Sequence, residues 1–162
     1  MSSNLSKLSS KNDFKLVFAA ICAVTISIGF GRFAYTPILP NMQVELNLSS
    51  TNLGIIASWN YLGYLFGSII PIFFKFKDNI KNVLIYSLLI SVLTTLFMGL
   101  SKTMLAFSFL RFLSGISSAL IFILGTSLIF KQVRFEKNSF LQLIHFSGIG
   151  LGIFLGTAVI WM

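Results

Sequence analysis

The chain has 162 residues, of which 56% are hydrophobic and 10% are charged, and its mean hydropathy is +0.90. A soluble domain of this size has no core large enough to bury so much apolar side chain, so the composition indicates a membrane protein with the lipid bilayer as its partner. The net charge of +8 does not indicate a nucleic-acid partner, because the cations fall in short gaps between apolar runs rather than on one folded face.

A polar segment over 1–13, rich in Ser and Lys, is expected to form a mobile cytoplasmic tail. The transmembrane domain is expected over 14–162, in apolar segments of roughly the 20 residues that a helix needs to cross the hydrocarbon. Helices are expected because open sheet edges cannot be satisfied in lipid. The predicted fold class is therefore all-α, a polytopic membrane helix bundle with helices over 16–38, 53–74, 83–100, 104–130 and 139–162.

Proline and small polar residues mark the predicted helix ends. Pro37 and Pro40 are expected to end the first helix, and one of residues 49–51 to cap the second. The sequence stops at Trp161 and Met162 without a polar tail, so we expect a shortened coding sequence. The alternative is that Trp161 is an interfacial residue that closes a complete protein.

The orientation follows from the basic residues in the gaps. Lys102 is the one cation expected on the outer side, so the positive-inside rule places the N-terminus in the cytoplasm and the C-terminus outside. A cleaved signal peptide is not expected, because the first apolar run is longer than a signal h-region. The cations expected on the cytoplasmic side are Lys7, Lys11, Lys15, Lys75, Lys77, Lys81, Lys131, Arg134 and Lys137.

Two arginines lie inside predicted helices, where a permanent guanidinium charge is costly unless it faces a wet cavity or the bundle interior. Counting along each helix at about 1.5 Å per residue puts Arg32, Arg111 and Asn60 at one level near the outer boundary. Such a cluster would grip a carboxylate or phosphate bidentately. The alternative is that one or both arginines snorkel to the interface or hold helices together through backbone carbonyls.

His145 is the only histidine, and it lies six residues into the fifth predicted helix. It is expected either to relay a proton or bind substrate, or to serve as a neutral hydrogen-bonding residue between helices. Cys22 is the only cysteine, so neither a disulfide nor a thiol metal site is expected, and no cofactor is implied. No catalytic motif is present, which argues against an enzyme. A carboxylate relay is not expected either, because the four acidic residues fall in tails or gaps: Asp13, Glu45, Asp78 and Glu136.

Glycines four residues apart recur in two predicted helices, as Gly63 and Gly67 and as Gly148, Gly152 and Gly156. In membranes this spacing lets helix backbones approach closely. We therefore assign these glycines to helix packing.

Four blocks of the sequence, at 31–43, 57–67, 111–115 and 145–152, have a familiar pattern. They resemble the start of the major facilitator superfamily and, more narrowly, the YbfB/YjiJ-type transporters. The loop over 75–79 keeps basic charge but lacks the acidic, glycine-rich pattern usual in the superfamily. The resemblance covers nearly the whole chain but only the first part of a typical member, which has two six-helix halves. The blocks are 31–43 (GRFAYTPILPNMQ), 57–67 (ASWNYLGYLFG), 111–115 (RFLSG) and 145–152 (HFSGIGLG).

The resemblance implies a partial major-facilitator fold and a secondary transporter in a bacterial inner membrane. Its cargo would be a small organic solute, anionic if the arginines bind it, moved by alternating access with a proton or ion gradient. Without a second half we expect the chain not to transport alone and to need a separately encoded remainder or a second copy. The alternative is a non-transporting assembly or regulatory subunit whose glycine-rich faces bind partners. The residues implied to line or adjoin the solute cavity are Arg32, Tyr35, Asn60, Tyr61, Arg111 and His145.

Overall fold

Helices form most of the described chain in the computed structural model, which describes residues 2–74, 76, 79–133, 140 and 142–161. The elements are α1 (Ser2–Val24), a π-helical segment (Thr25–Phe33), α2 (Tyr35–Glu45), α3 (Ser50–Phe73), α4 (Ile80–Leu100), α5 (Met104–Gln132) and α6 (Ser147–Ile160). Several predicted loop charges lie outside the described residues, as does the predicted helix start at 139: these are Lys75, Lys77, Asp78, Arg134, Glu136 and Lys137.

Five helical stretches of the described residues are long and apolar enough to cross a membrane, in agreement with the predicted bundle. The first span, Asp13–Glu45, comprises the end of α1, the π segment and α2 without a break in the helical path. Backbone helix already begins at Ser2, within the segment expected to be a mobile tail. The other spans are Ser50–Phe73, Ile80–Leu100, Met104–Gln132 and Gln142–Ile160.

The predicted end of the first helix at Pro37 and Pro40 is wrong, because α2 continues to Glu45 with Pro40 inside it. Pro37 lies in the first turn of α2, where a missing backbone N–H is tolerated. The chain turns after α2 at Asn47, which has a φ of 52°. The predicted cap of the second helix is confirmed, since the Ser49 hydroxyl accepts a hydrogen bond from the Asn52 backbone N–H at 3.2 Å.

The π segment and α5 form the centre of the bundle. The π segment contacts α4, α5 and α6, while α5 also packs along α3 and α4. Two apolar clusters lie towards opposite ends, one around Tyr35, Ile56 and Phe107 and the other around Val17 and Ile129. Between them the interface contains buried polar side chains: Ser27, Asn60, Ser91, Arg111, Ser114, Ser117 and Ser118.

Glycines permit the closest approaches between these helices. A Cβ on Gly63 would collide with the Phe112 backbone on α5, and a Cβ on Gly152 would lie 2.5 Å from the Gly29 Cα of the π segment. Gly148 likewise faces the Ile21 carbonyl oxygen of α1. The predicted packing role of the glycine stripes is therefore confirmed within the chain.

Paired substitutions on α3 test this close packing. Gly63→Ala should lower the free energy of unfolding by about 1–3 kcal/mol, because the added methyl group overpacks the α3–α5 contact. Gly54→Ala is the matched control, since a Cβ there meets nothing within 4 Å, and it should stabilise by up to about 1 kcal/mol through helix propensity. Denaturant unfolding in mild detergent, followed by circular dichroism, measures both, and a neutral or stabilising Gly63→Ala would contradict the packing.

Candidate functional site

Arg111, on α5, is buried with 4% of its surface exposed, and it reaches across to the backbone of the first span. Its Nη1 donates to the carbonyl oxygen of Gly31 at 2.9 Å, and its Nη2 donates to the carbonyl oxygen of Arg32 at 3.1 Å. The guanidinium lies over the ring of Tyr35, with Cζ 4.4 Å from the ring centroid. Of the two roles predicted for the arginines, Arg111 therefore adopts the one that joins helices through backbone carbonyls.

The π segment and Pro37 explain why these carbonyls are available. In a π-helix the carbonyl of residue i accepts from the N–H five residues on, as Gly29 does from Ala34 at 3.1 Å. By that register the Arg32 carbonyl would pair with Pro37, which has no N–H. Arg111 supplies the missing donor from another helix. A π segment in an apolar span is rare and is often found at functional sites.

Gly31 is the point at which three helices meet. Its carbonyl accepts a second hydrogen bond, from the Ser114 hydroxyl at 3.0 Å. A Cβ on Gly31 would lie 2.9 Å from the Ser91 hydroxyl oxygen and 3.4 Å from that of Ser114. A side chain at this position would therefore displace the Ser91 hydroxyl of α4.

Arg32 is half-buried and turns towards α3. Its Cζ lies 4.4 Å from the ring centroid of Tyr64 and 5.0 Å from that of Tyr61. The neighbouring Phe33 ring lies 5.7 Å away. Its Nε is buried and has no hydrogen-bond partner among the described residues. We refer to Arg32, Tyr61 and Tyr64 as the arginine–tyrosine face.

Asn60 and Tyr35 each donate a hydrogen bond to the backbone of another helix. The Asn60 side chain is buried, and its Nδ2 donates to the Arg111 carbonyl at 2.9 Å. The Tyr35 hydroxyl donates to the Leu53 carbonyl at 3.0 Å, which ties the first span to the start of α3. The expected common level of Arg32, Arg111 and Asn60 is therefore confirmed, since hydrogen bonds join Asn60 to Arg111 and Arg111 to Arg32.

His145 lies far from this cluster. It is fully buried, and its Nε2 is 3.2 Å from the Thr126 hydroxyl oxygen, while its Nδ1 contacts the Gln142 carbonyl. Thr126 is fifteen residues beyond Arg111 on α5, which corresponds to roughly 22 Å along the helix axis. The structure thus places His145 at a helix–helix contact and does not bring it to the arginines.

Tyr64 was not singled out from the sequence, whereas Ser114 enters the sequence analysis within the block 111–115. Tyr64 has the ring nearest to the Arg32 guanidinium, and Ser114 shares the Gly31 carbonyl with Arg111. The spacing in the sequence indicates Tyr64, because residues three apart share one helix face and Tyr61 and Tyr64 are three apart. Ser114 is likewise three residues from Arg111.

The family model MFS_4, described as an uncharacterised MFS-type transporter YbfB, matches residues 24–162. The chain belongs to this family. No curated protein and no solved structure gives a match. The matched residues include the π segment, both intramembrane arginines and all of α3 to α6, so this YbfB-type chain is a multi-pass membrane protein of a transporter family.

Substitution of Arg111 tests its hold on the π segment. Arg111→Lys should lower the free energy of unfolding by about 1–3 kcal/mol, because an ammonium cannot reproduce the planar fork that reaches two carbonyls and one buried acceptor is left unsatisfied. Ser114→Ala is the matched control, and its loss should be about 0.6 kcal/mol, typical of hydrogen bonds between membrane helices, since Gly31 keeps the Arg111 bond. Unfolding titrations in detergent measure both losses, and equal losses would contradict the bridging role.

Proposed function

We propose that this chain forms the N-terminal part of a secondary transporter that carries a small organic anion by alternating access. The observation that carries the proposal is the arginine–tyrosine face, where a half-buried guanidinium lies against tyrosine rings and is not paired with a carboxylate of the described residues. The four acidic residues of the sequence are Asp13, Glu45, Asp78 and Glu136, so none lies in the apolar interior of a span. A solute can supply the missing negative charge.

Stacking leaves the binding edge of the Arg32 guanidinium free. The rings of Tyr61 and Tyr64 have their centroids 5.0 and 4.4 Å from its Cζ, and cation–π contacts of this kind do not use the N–H donors that bind a carboxylate bidentately. Tyr61 is 60% exposed, so the face is accessible from outside this bundle. Arg32 and Tyr61 are therefore the proposed solute contacts, with Tyr64 as the second stacking ring.

Arg111, Asn60 and Tyr35 support this face from behind in the proposal. Arg111 donates to the Arg32 carbonyl, and Asn60 in turn donates to the Arg111 carbonyl. These bonds fix the backbone from which the Arg32 side chain projects, so we assign positioning roles to these residues. His145 is assigned to helix packing, because it contacts Thr126 and Gln142 and lies a long way down α5.

Alternating access requires two units that rock around a site between them. We assign this chain to one of those two units. Coupling to a proton or ion gradient in a bacterial inner membrane completes the proposal. The alternative of a regulatory subunit predicted that glycine-rich faces bind partners, but Gly148 and Gly152 already face the first span.

Cysteine labelling tests the proposed orientation, with a cytoplasmic N-terminus. In a Cys22→Ser background, Lys102→Cys lies between α4 and α5 and should react with a membrane-impermeant maleimide in intact cells. Lys81→Cys, at the opposite end of α4, should react only after permeabilisation, because about 30 Å separates the ends of a span of this length. The reverse pattern would contradict the orientation.

Uptake by the two-unit transporter tests the role of Arg32. Organic acids are first screened as labelled solutes in cells that express the chain with its second unit. Arg32→Lys should then reduce uptake of the transported acid by about tenfold, roughly 1.4 kcal/mol, because lysine keeps the charge but loses the planar fork. Lys81→Gln is the control for a cation outside the face and should retain uptake. Normal uptake by Arg32→Lys at equal protein abundance would overturn the proposed solute contact.

A further inference from the structure

A second concave site lies on the other side of the first span. It is a cavity of about 390 Å³ between the first span, α4 and α5, which we refer to as the α4 cavity. None of the three residues of the arginine–tyrosine face lines it. Its lining includes Phe30, Tyr35, Ile38, Met98, Phe107 and Arg111.

Arg111 brings an uncompensated charge to this cavity. The guanidinium has five N–H donors, and its Nη1 and Nη2 each make one bond to a backbone carbonyl. Its Nε is buried and has no partner among the described residues. Neutral carbonyls satisfy donors but do not cancel the charge, and an unpaired charge in this environment is costly. An anion bound beside the guanidinium would supply the opposite charge.

The remaining walls define what kind of anion fits. Phe30, Ile38, Met98 and Phe107 are apolar, and the volume lies within the range of small-molecule sites, roughly 300–1,000 Å³. The far end contains Glu45 and Lys102, both exposed, where α2 ends and α5 is about to begin. Glu45 is ten residues beyond Tyr35, so the cavity extends roughly 15 Å along the first span. An anion with one charged end and a compact apolar body matches this distribution of charged and apolar walls.

We infer that the α4 cavity binds a small organic carboxylate, with its carboxylate on Arg111 and its apolar body between the first span and α4. This inference goes beyond the proposed transport role, because it assigns a second site that does not include Arg32. Binding there has a structural consequence: the same guanidinium holds the Gly31 and Arg32 carbonyls. An occupant of the α4 cavity therefore acts on the backbone that carries the Arg32 side chain.

The lining offers a variant that fills the cavity without a clash. Gly99 lines the α4 cavity, and a Cβ on it would meet nothing within 4 Å. Gly99→Leu is therefore expected to fold and to occupy the space of the ligand. Gly150→Leu is the matched control, because Gly150 also has open space around its Cβ position but lies on α6, away from the cavity.

The probe is 4-fluorobenzoate, added to the full chain in lipid nanodiscs and followed by fluorine NMR line broadening, with empty nanodiscs as the blank. We expect saturable broadening with the unaltered chain and with Gly150→Leu, and at least a tenfold weaker Kd with Gly99→Leu. The neutral analogue 4-fluorobenzyl alcohol should bind at least tenfold more weakly than the acid, because it cannot compensate the Arg111 charge.

Each contrary result identifies a different failure. No saturable broadening, or an unchanged Kd in Gly99→Leu, would overturn the site, and equal affinity for the acid and the alcohol would overturn the role of the charge. Arg32→Gln removes the proposed solute contact, and the saturable broadening that remains in this variant should still weaken at least tenfold when Gly99→Leu is added. If Arg32→Gln abolishes binding, the probe occupies the arginine–tyrosine face and the second site is overturned. A failure of the proposed transport role appears instead in the uptake of Arg32→Lys, independently of this measurement.

Discussion

The bridge from the Arg111 guanidinium to the carbonyls of Gly31 and Arg32 is the interaction on which the arrangement of this bundle depends. A backbone carbonyl without a donor costs several kcal/mol in a membrane, where water cannot replace the missing partner. The wide π turns and Pro37 create such a carbonyl in the middle of the first span. A buried arginine on α5 satisfies it, so an irregular helix and an intramembrane charge, each unfavourable alone, stabilise one another.

On the side of the π segment that faces α6, close backbone packing accommodates its irregular geometry. Gly29 of the π segment lies against Gly152 of α6, and the Thr25 hydroxyl donates to the Gly148 carbonyl at 3.0 Å. A wider helix needs neighbours that can approach without side chains, since interdigitated Leu or Phe would leave voids beside the enlarged turn. The glycine stripe of α6 and the guanidinium of α5 thus contact opposite sides of the same segment. Both contacts accommodate the same departure from α-helical geometry, which is the π segment.

Much of this architecture could be predicted from the sequence because hydropathy and length determine the spans. Counting residues along helices also placed Arg32, Arg111 and Asn60 at one level. The π register could not be predicted, because Pro37 indicates only that a donor is missing, whereas the hydrogen-bond register around it depends on what another helix supplies. The same limit applies to the shared solute cavity expected for both arginines. Their surroundings differ because each side chain points in its own direction around its helix axis. The depth of a residue along the helix carries no information about that direction.

The two guanidinium groups therefore differ in what a bound anion would do to the fold. The Arg32 group contacts the rings of Tyr61 and Tyr64, so an anion on its N–H donors would bind and leave without breaking a helix–helix hydrogen bond. The Arg111 group already donates to the first span, so an anion there competes with, or reinforces, bonds that fix the π segment. A transported solute must leave as readily as it enters, which favours the first environment. A ligand that alters the shape of the first span would instead have to bind in the environment of Arg111.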